Sequence, residues 1–541
     1  MSCQKNICPK EQTLRISLKN EPCSFDPRKG NDMVASQMHF LLFEGLVRLN
    51  PDMSLSPAAA ESYEISSDGK IYTFHLRDAL WSDGTKVTAL DFEKSWKKIL
   101  DPKFPSPDAY LLYAIRGAKS AKEGQISLEK IGIHSRDEKT LIVELDSPQF
   151  HFLQIVASSV LLPVSSKMDQ LDPTWAMQKE TILCNGPFCL EEWRPRQQLT
   201  FAKNPLYHGA KAVKLDHILV DIIEREMPVL HMYASGHFDL IGTPLSFFPS
   251  EILQDLDKQR LLTFFPVAAT KFLAFNTSVP PFHNANIRKA FGLAISRQSL
   301  VEHITRLKEE KALNVLSPIL TGESNTYFAD GDTMQARKFF QKGLEELQLY
   351  GARSSLVNSG EPQSGSDGPP NSPNLTARRI TRFPPLTFMF VPSEINKSLA
   401  QALQQMWQQT LGITVILEQT EFKELHSRSQ QGKFSMGLFA WLADYGDPMN
   451  ILERFADKTN HRNYPKWEHP GYNHLLTEIR KTTSQPEYLT KVKQAEKLLI
   501  EEMPFTCLFH ENYAFLVHPH VKGLEISPLG HIYFERISID H

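Results

Sequence analysis

Apolar positions along the chain switch between two periods. Leu14, Ile16 and Leu18 alternate with polar neighbours, the pattern of a first strand. The stretch Met38 to Leu46 reads as a helix closing on Gly45 as its C-cap. Asp68-Gly69 marks a hairpin turn, and Ile71 to Leu76 alternates behind it. Thr88 caps the next helix, with Asp91 placed to complete a capping box and Phe92, Trp96 and Ile99 on one face. Further strands are predicted over 139–146, 198–201, 215–222 and 272–277. From Asn284 the apolar residues Ile287, Ala290, Phe291, Ala294 and Ile295 take helical spacing.

The second half alternates strand and helix. Strands are predicted over 386–390, 413–418 and 434–440, with helices over 397–411 and 421–429 between them. A helix over 488–502, a strand over 506–517 and a closing segment over 524–539 follow. This order suits an α/β domain. Residues 354–374 are rich in Ser, Gly, Pro and Asn, too polar to bury a core, and are expected to form a poorly ordered loop.

At 541 residues the chain exceeds one core, and roughly two to four domains are expected. A net charge of −3 with scattered basic residues gives no nucleic-acid footprint. No apolar run reaches membrane-spanning length. Cysteines 3, 8, 23, 184, 189 and 507 lack zinc-site spacing. Gly-x-Ser-x-Gly, His-Glu-x-x-His and a phosphate-binding glycine loop are all missing, so no enzyme class is indicated. Asp444 and Asp447 share one turn and lack the opposed geometry of a carboxylate pair in hydrolysis. No cofactor or metal is implied.

One stretch concentrates the chemistry. After the 434–440 strand come Trp441-Leu442-Ala443-Asp444-Tyr445-Gly446-Asp447-Pro448. Gly446 and Pro448 force a turn just past Asp444. A carboxylate at the mouth of a buried strand needs a cation, supplied by the protein or by the α-ammonium of a ligand.

This stretch resembles the ligand-clamping strand of the periplasmic oligopeptide-binding proteins, the solute-binding family that feeds peptide ABC transporters. The match is Trp441, Ala443, Asp444 and Tyr445. More specific is the block Phe74-His75-Leu76-Arg77, Trp81-Ser82-Asp83-Gly84-Thr85, and Val87-Thr88-Ala89 followed by Asp91-Phe92. Asn185-Gly186-Pro187-Phe188, Asn204-Pro205-Leu206-Tyr207 and the helix from Ile287 continue the likeness over almost the whole chain.

The resemblance implies an α/β, two-lobed periplasmic-binding-protein fold (type II, cluster C-like) with an extra domain and discontinuous lobes joined by a hinge. Residues 1–50, 179–271 and 513–541 would form lobe 1, 51–178 an accessory domain inserted in it, and 272–512 lobe 2. Asp444 would pair with the peptide N-terminus. The main chain of Ala440 and Leu442 would form a β-ladder with the peptide. Trp441 and Phe422 would wall a side chain, with core packing the alternative for each. Tyr445, Met33 and Arg428 complete the expected ligand-binding set. Near 108–110, where the family places an aromatic, Asp108 fills the aligned position and Tyr110 is the nearest aromatic.

The departures are as informative. Family cations that meet the peptide C-terminus are replaced here by Leu438, Ser429 and Asn396. Arg428 and Lys433 are the nearby substitutes, each read first as a surface charge. The resemblance further implies a monomer located in the periplasm or outside the cytoplasmic membrane, with a peptide ligand and ABC permease subunits as partners. Cys3 is expected either to carry a lipid anchor or to be a free cysteine in a polar tail. Alternatives are a dipeptide, muropeptide-fragment or metal-chelate binder of the same fold and, from other classes, a peptide-directed hydrolase or a chaperone-like surface protein.

Overall fold

The computed structural model describes residues 11–30, 32–357, 383–482 and 484–540. It divides into two compact units. The first comprises Met1–Ala268, Leu442–Asp447 and Asn512–His541, and the second Ala269–Trp441 and Pro448–Glu511. Cys3 lies outside the described residues, as does residue 358 onward of the 354–374 loop. The first residues of that stretch instead belong to the helix Thr333–Val357, which continues past the end expected near Leu349.

In the first unit the strand Thr13–Leu18 lies parallel to both neighbours, His217–Ile222 and Leu240–Gly242. Gln198–Lys203 and Phe188–Arg194 extend the sheet antiparallel. A parallel strand is covered on both faces. Leu14, Ile16 and Leu18 are accordingly all sealed from solvent, and so are Ile218 and Val220. A separate antiparallel sheet runs Ala60–Ile65, Ile71–Leu76, Thr140–Glu144, Ile133–Asp137. The helix Ala89–Ile99 packs on it. The Asp91 carboxylate secures that helix by accepting from the Thr88 N–H at 2.8 Å and from the Ser166 N–H at 2.8 Å.

The helix expected to end at Gly45 spans Met33–Leu42 instead. Asp32 caps its start, and Phe43 already has extended backbone. The reason is tertiary. The Asn185 side chain accepts from the Glu44 N–H and donates to the Glu44 carbonyl, both at 3.0 Å. Pairing both backbone groups of Glu44 in this way holds the chain out of the helix. The Gly186 N–H donates to the Leu42 carbonyl at 2.9 Å. A Cβ at Gly186 would stand 2.7 Å from backbone atoms of Leu42 and Phe43.

The second unit holds the parallel strands Val415–Gln419, Leu386–Phe390 and Met436–Leu442, with Leu386–Phe390 in the middle. The helices Glu394–Leu411 and Phe422–Gln430 connect them. Next in the sheet come Leu262–Phe275 and Phe505–Val517, long strands through which the chain passes from one unit to the other. The core gathers Phe275, Phe291, Phe388, Trp407, Met436 and Leu438. Trp407 is fully buried and donates its indole N–H to the Phe291 carbonyl at 3.0 Å.

Arg28 is a buried charge of the first unit, being 1% exposed. It is held by Asp26 at 2.8 Å and Asp169 at 2.6 Å. Burial raises the Asp169 carboxyl, but the hydrogen bonds and charge of Arg28 outweigh it and hold its pKa below the ordinary carboxylate value. Stability from this pair is therefore complete above the ordinary carboxylate pKa and lost as pH falls through the depressed one. Arg28→Met, which removes the buried cation between Asp26 and Asp169, is expected to cost about 3–5 kcal/mol. Chemical denaturation at neutral pH checks this, and the variant's loss should shrink in acid. Gly186→Ala is expected to cost about 1–3 kcal/mol through overpacking, read as a lowered melting temperature.

Candidate functional site

The strand Met436–Leu442 presents two unlike sides. Phe439 and Trp441 are buried, and Ala440 between them is exposed. Trp441 is 6% exposed and lies against Phe272, with ring centroids 3.9 Å apart, and against Phe505 at 5.3 Å. The structure therefore places Trp441 in an aromatic core, while Ala440 and the half-buried Leu442 stand on the more open side. The strand is parallel to its neighbour Leu386–Phe390. In open α/β sheets, ligands collect beyond the carboxyl ends of parallel strands. Asp444 stands just past that end.

Asp444 is half-buried, and its Oδ2 accepts a hydrogen bond from the Tyr110 hydroxyl at 2.6 Å. A bond this short from a hydroxyl to a carboxylate is charge-assisted. It orients the carboxylate. Tyr110 comes from a 3-10 turn, Ala109–Leu112, far away in sequence. The chain segment around Asp444 is fixed by the Ala443 N–H, which donates to the Ala268 carbonyl at 3.0 Å. It is also held by Tyr445, which is 3% exposed and stacks on His151 with centroids 4.9 Å apart and rings 7° from parallel. His151 Nδ1 lies 3.8 Å from the Asp447 carboxylate. A carboxylate is thus set in a turn clamped from two sides.

Met33 is half-buried at the first position of the helix Met33–Leu42. Phe422 opens the helix Phe422–Gln430 and is 61% exposed. It adjoins His426, with centroids 4.3 Å apart. The Tyr464 hydroxyl bonds His426 Nδ1 at 2.8 Å, and Tyr464 stacks on Phe439 at 4.3 Å. Burial and the nearby Arg462 charge both push the His426 pKa down. These residues form an aromatic wall on which an apolar or aromatic side chain would pack.

Arg428 does not point a bare charge anywhere. Its guanidinium binds Glu418 through Nη1 at 2.5 Å and Nη2 at 3.3 Å. The three positions at which the sequence reading expected family cations hold neutral side chains with surroundings of their own. Leu438 is 4% exposed and belongs to the core. Ser429 is fully buried and donates to the Leu425 carbonyl at 2.7 Å. Asn396 donates to the Val391 carbonyl at 3.0 Å.

Sequence reasoning missed His151, His426 and Tyr464, and set Tyr110 aside for Asp108. Position in the chain could not find them, because each meets its partner through a tertiary contact. Among the described residues, no group of three or more His, Cys, Asp and Glu side chains is arranged to hold a metal ion. No described helix is long and apolar enough to cross a membrane.

Comparison with known proteins agrees with this geometry. The model of the bacterial extracellular solute-binding proteins, family 5, matches residues 54–463. The oligopeptide-binding protein OppA of Bacillus subtilis is 32% identical over 96% of this chain and 92% of its own. The dipeptide-binding protein DppE of the same organism is 30% identical over 96% and 91%. Among solved structures, Haemophilus influenzae OppA in complex with RPPGFSPFR superposes with a TM-score of 0.82 at 25% identity, covering 98% of this chain and 99% of that one. The murein tripeptide binding protein MppA of Escherichia coli gives 0.83 at 26% identity, covering 98% and 99%. The resemblance read from the Trp441–Tyr445 stretch and the Phe74–Phe92 block is thereby established, together with the α/β periplasmic-binding-protein fold. The chain belongs to the bacterial extracellular solute-binding proteins of family 5.

Proposed function

We propose that this protein captures peptides outside the cytoplasm and delivers them to an ABC permease. The observation that carries the reading is the Asp444 carboxylate, oriented by Tyr110 at 2.6 Å beyond the end of a strand with an open side. The amine of a peptide pairs with this carboxylate through a charge-assisted bond. The backbone of Ala440 and Leu442 offers ladder bonds that hold a peptide without reading its side chains. The aromatic wall of Phe422, His426 and Tyr464 then supplies affinity for an apolar residue. Relatives named for oligopeptide and dipeptide binding, and a neighbour bound to a nonapeptide, support the same class of ligand.

A second reading concerns ligand length. Leu438, Ser429 and Asn396 offer no cation to a C-terminus. This favours a peptide whose carboxylate lies elsewhere, or a murein-type fragment like the one named for MppA. A monomeric state, a lipid anchor at Cys3 and an accessory domain over 51–178 belong to the same proposal. The separate four-stranded sheet of the first unit supports the last of these.

Calorimetry tests the reading on protein that has been unfolded and refolded to strip carried ligand. A mixed pool of tri- to pentapeptides should bind, and the same pool with acetylated N-termini should not. Asp444→Ala should weaken binding by at least about a hundredfold, the effect of breaking a desolvated charge pair. Equal binding of free and acetylated pools removes Asp444 from the role. Tyr110→Phe deletes one hydrogen bond to a charged group and should weaken binding by about tenfold or more. An undiminished affinity in that variant would show that the tyrosine does not orient the carboxylate.

A further inference from the structure

Cys184 and Cys189 are not among the residues of the peptide site, and the fold of the first unit brings them together. Both are free thiols. Cys184 stands just before the turn Asn185-Gly186-Pro187, and Cys189 is the second residue of the strand Phe188–Arg194. That turn is pinned on three sides. Asn185 and Gly186 bond the chain at the end of the helix Met33–Leu42. Asn204 donates its N–H to the Pro187 carbonyl and its side-chain amide to the Gly186 carbonyl, both at 2.9 Å. Cys184 and Ser82 are tied twice: the Ser82 N–H donates to the Cys184 carbonyl at 2.8 Å, and the Cys184 N–H donates to Ser82 Oγ at 3.1 Å.

The two sulfurs meet inside this frame. The Cys184 thiol donates to the Cys189 sulfur, and the Leu190 N–H donates to the Cys184 sulfur. The Ser82 hydroxyl bonds Cys189 as well. Access to the two is unequal. Cys184 is sealed from solvent. Cys189 lies on the opposite side of its strand from the buried Phe188 and Leu190 and is half-buried. The bonds from Cys184 and Ser82 lower the pKa of the Cys189 thiol, while the bond to Cys189 and burial raise that of Cys184. A reachable thiol that is eased into its thiolate is the one that attacks a disulfide, and a buried neighbour in contact with it resolves the product.

We propose that Cys184 and Cys189 are a redox-sensitive pair that closes to an intramolecular disulfide, stapling the turn that holds Asn185 and Gly186 against the end of the helix Met33–Leu42. The oxidant is an external disulfide, carried by a small molecule or by a thiol–disulfide oxidoreductase. The Cys189 thiolate attacks one of its sulfurs and expels the other as a thiolate, which takes up the Cys184 proton. Cys184 then attacks the Cys189 sulfur of the mixed disulfide and expels the second thiol. Two protein thiols become one disulfide and the external disulfide becomes two thiols, so electrons and protons balance. Compartments outside the cytoplasm hold such oxidants. Only that supply rests on the location proposed above, and the test provides its own.

Reduced full-length protein is treated with oxidised glutathione, its remaining thiols are blocked with iodoacetamide under denaturing conditions, and the tryptic digest is read by mass spectrometry. Residues 180–194 carry both cysteines with no Lys or Arg between them, so one peptide reports the pair. That peptide is expected to be unalkylated and lighter by two hydrogens, and to regain both thiols in dithiothreitol. Cys184→Ser removes the resolving thiol and should leave glutathione attached at Cys189. Cys189→Ser should leave Cys184 as an unmodified thiol. The oxidised wild type is expected to melt about 2–6 °C above the reduced form, the worth of closing a short loop. Two alkylated cysteines in the treated wild type, or a bond from either to a different cysteine, overturn the assignment and leave peptide capture standing. A Cys184→Ser protein that holds no glutathione does the same. Equal melting of the oxidised and reduced forms removes the staple.

Discussion

The pairing of Leu262–Phe275 with Met436–Leu442 governs what the rest of the molecule can do. Two backbone bonds fix it, at Asn276–Ser435 and Ala443–Ala268. A slip by a single residue would exchange the two sides of the strand. Trp441 and Phe439 would leave the aromatic core around Phe272 and Phe505, and Ala440 would be buried in their place. The large apolar area of these rings makes such a slip costly. The open side of the strand is therefore set by packing on the other side, through apolar residues that need touch no ligand.

Charge placement follows from that frame. Buried charges in this protein are met by partners. Arg28 has Asp26 and Asp169. Glu44 is bonded by Tyr207 at 2.6 Å and by Arg48 at 3.2 Å. Asp444 follows the same rule with Tyr110. The positions at which the resemblance implied cations are occupied here by a core leucine, a serine bonded to the preceding turn of its own helix and a backbone-bonded asparagine. A cation cannot be restored at Leu438 without burying a charge among Phe388, Met436 and Trp407.

The ends of elements show how tertiary contacts redraw local preference. Gly45 has the chemistry of a helix C-cap, yet the helix stops at Leu42, because Asn185 takes both backbone groups of Glu44. The Phe434–Ala440 pattern predicts a strand, and the observed strand is shifted to Met436–Leu442, since pairing with Leu386–Phe390 begins at Met436. Phe272–Thr277 reads as a short strand, and the structure extends it back to Leu262. Its early half mixes exposed and buried residues and carries Pro266, so no simple alternation announces it.

Sequence by itself determined the kinds of element, their order and the carboxylate at Asp444. These depend on neighbouring residues: alternation, helical spacing, the capping pair Thr88 and Asp91, and a turn forced by Gly446 and Pro448. The family likeness was legible for the same reason, in short runs such as Trp81–Thr85. What only the tertiary structure decided is which distant groups meet. Tyr110 reaches Asp444, and His151 stacks on Tyr445. Trp441 turns to the core and Arg428 to Glu418. Such choices depend on strand register and burial, which sum weak contacts over the whole core, and no local pattern encodes that sum.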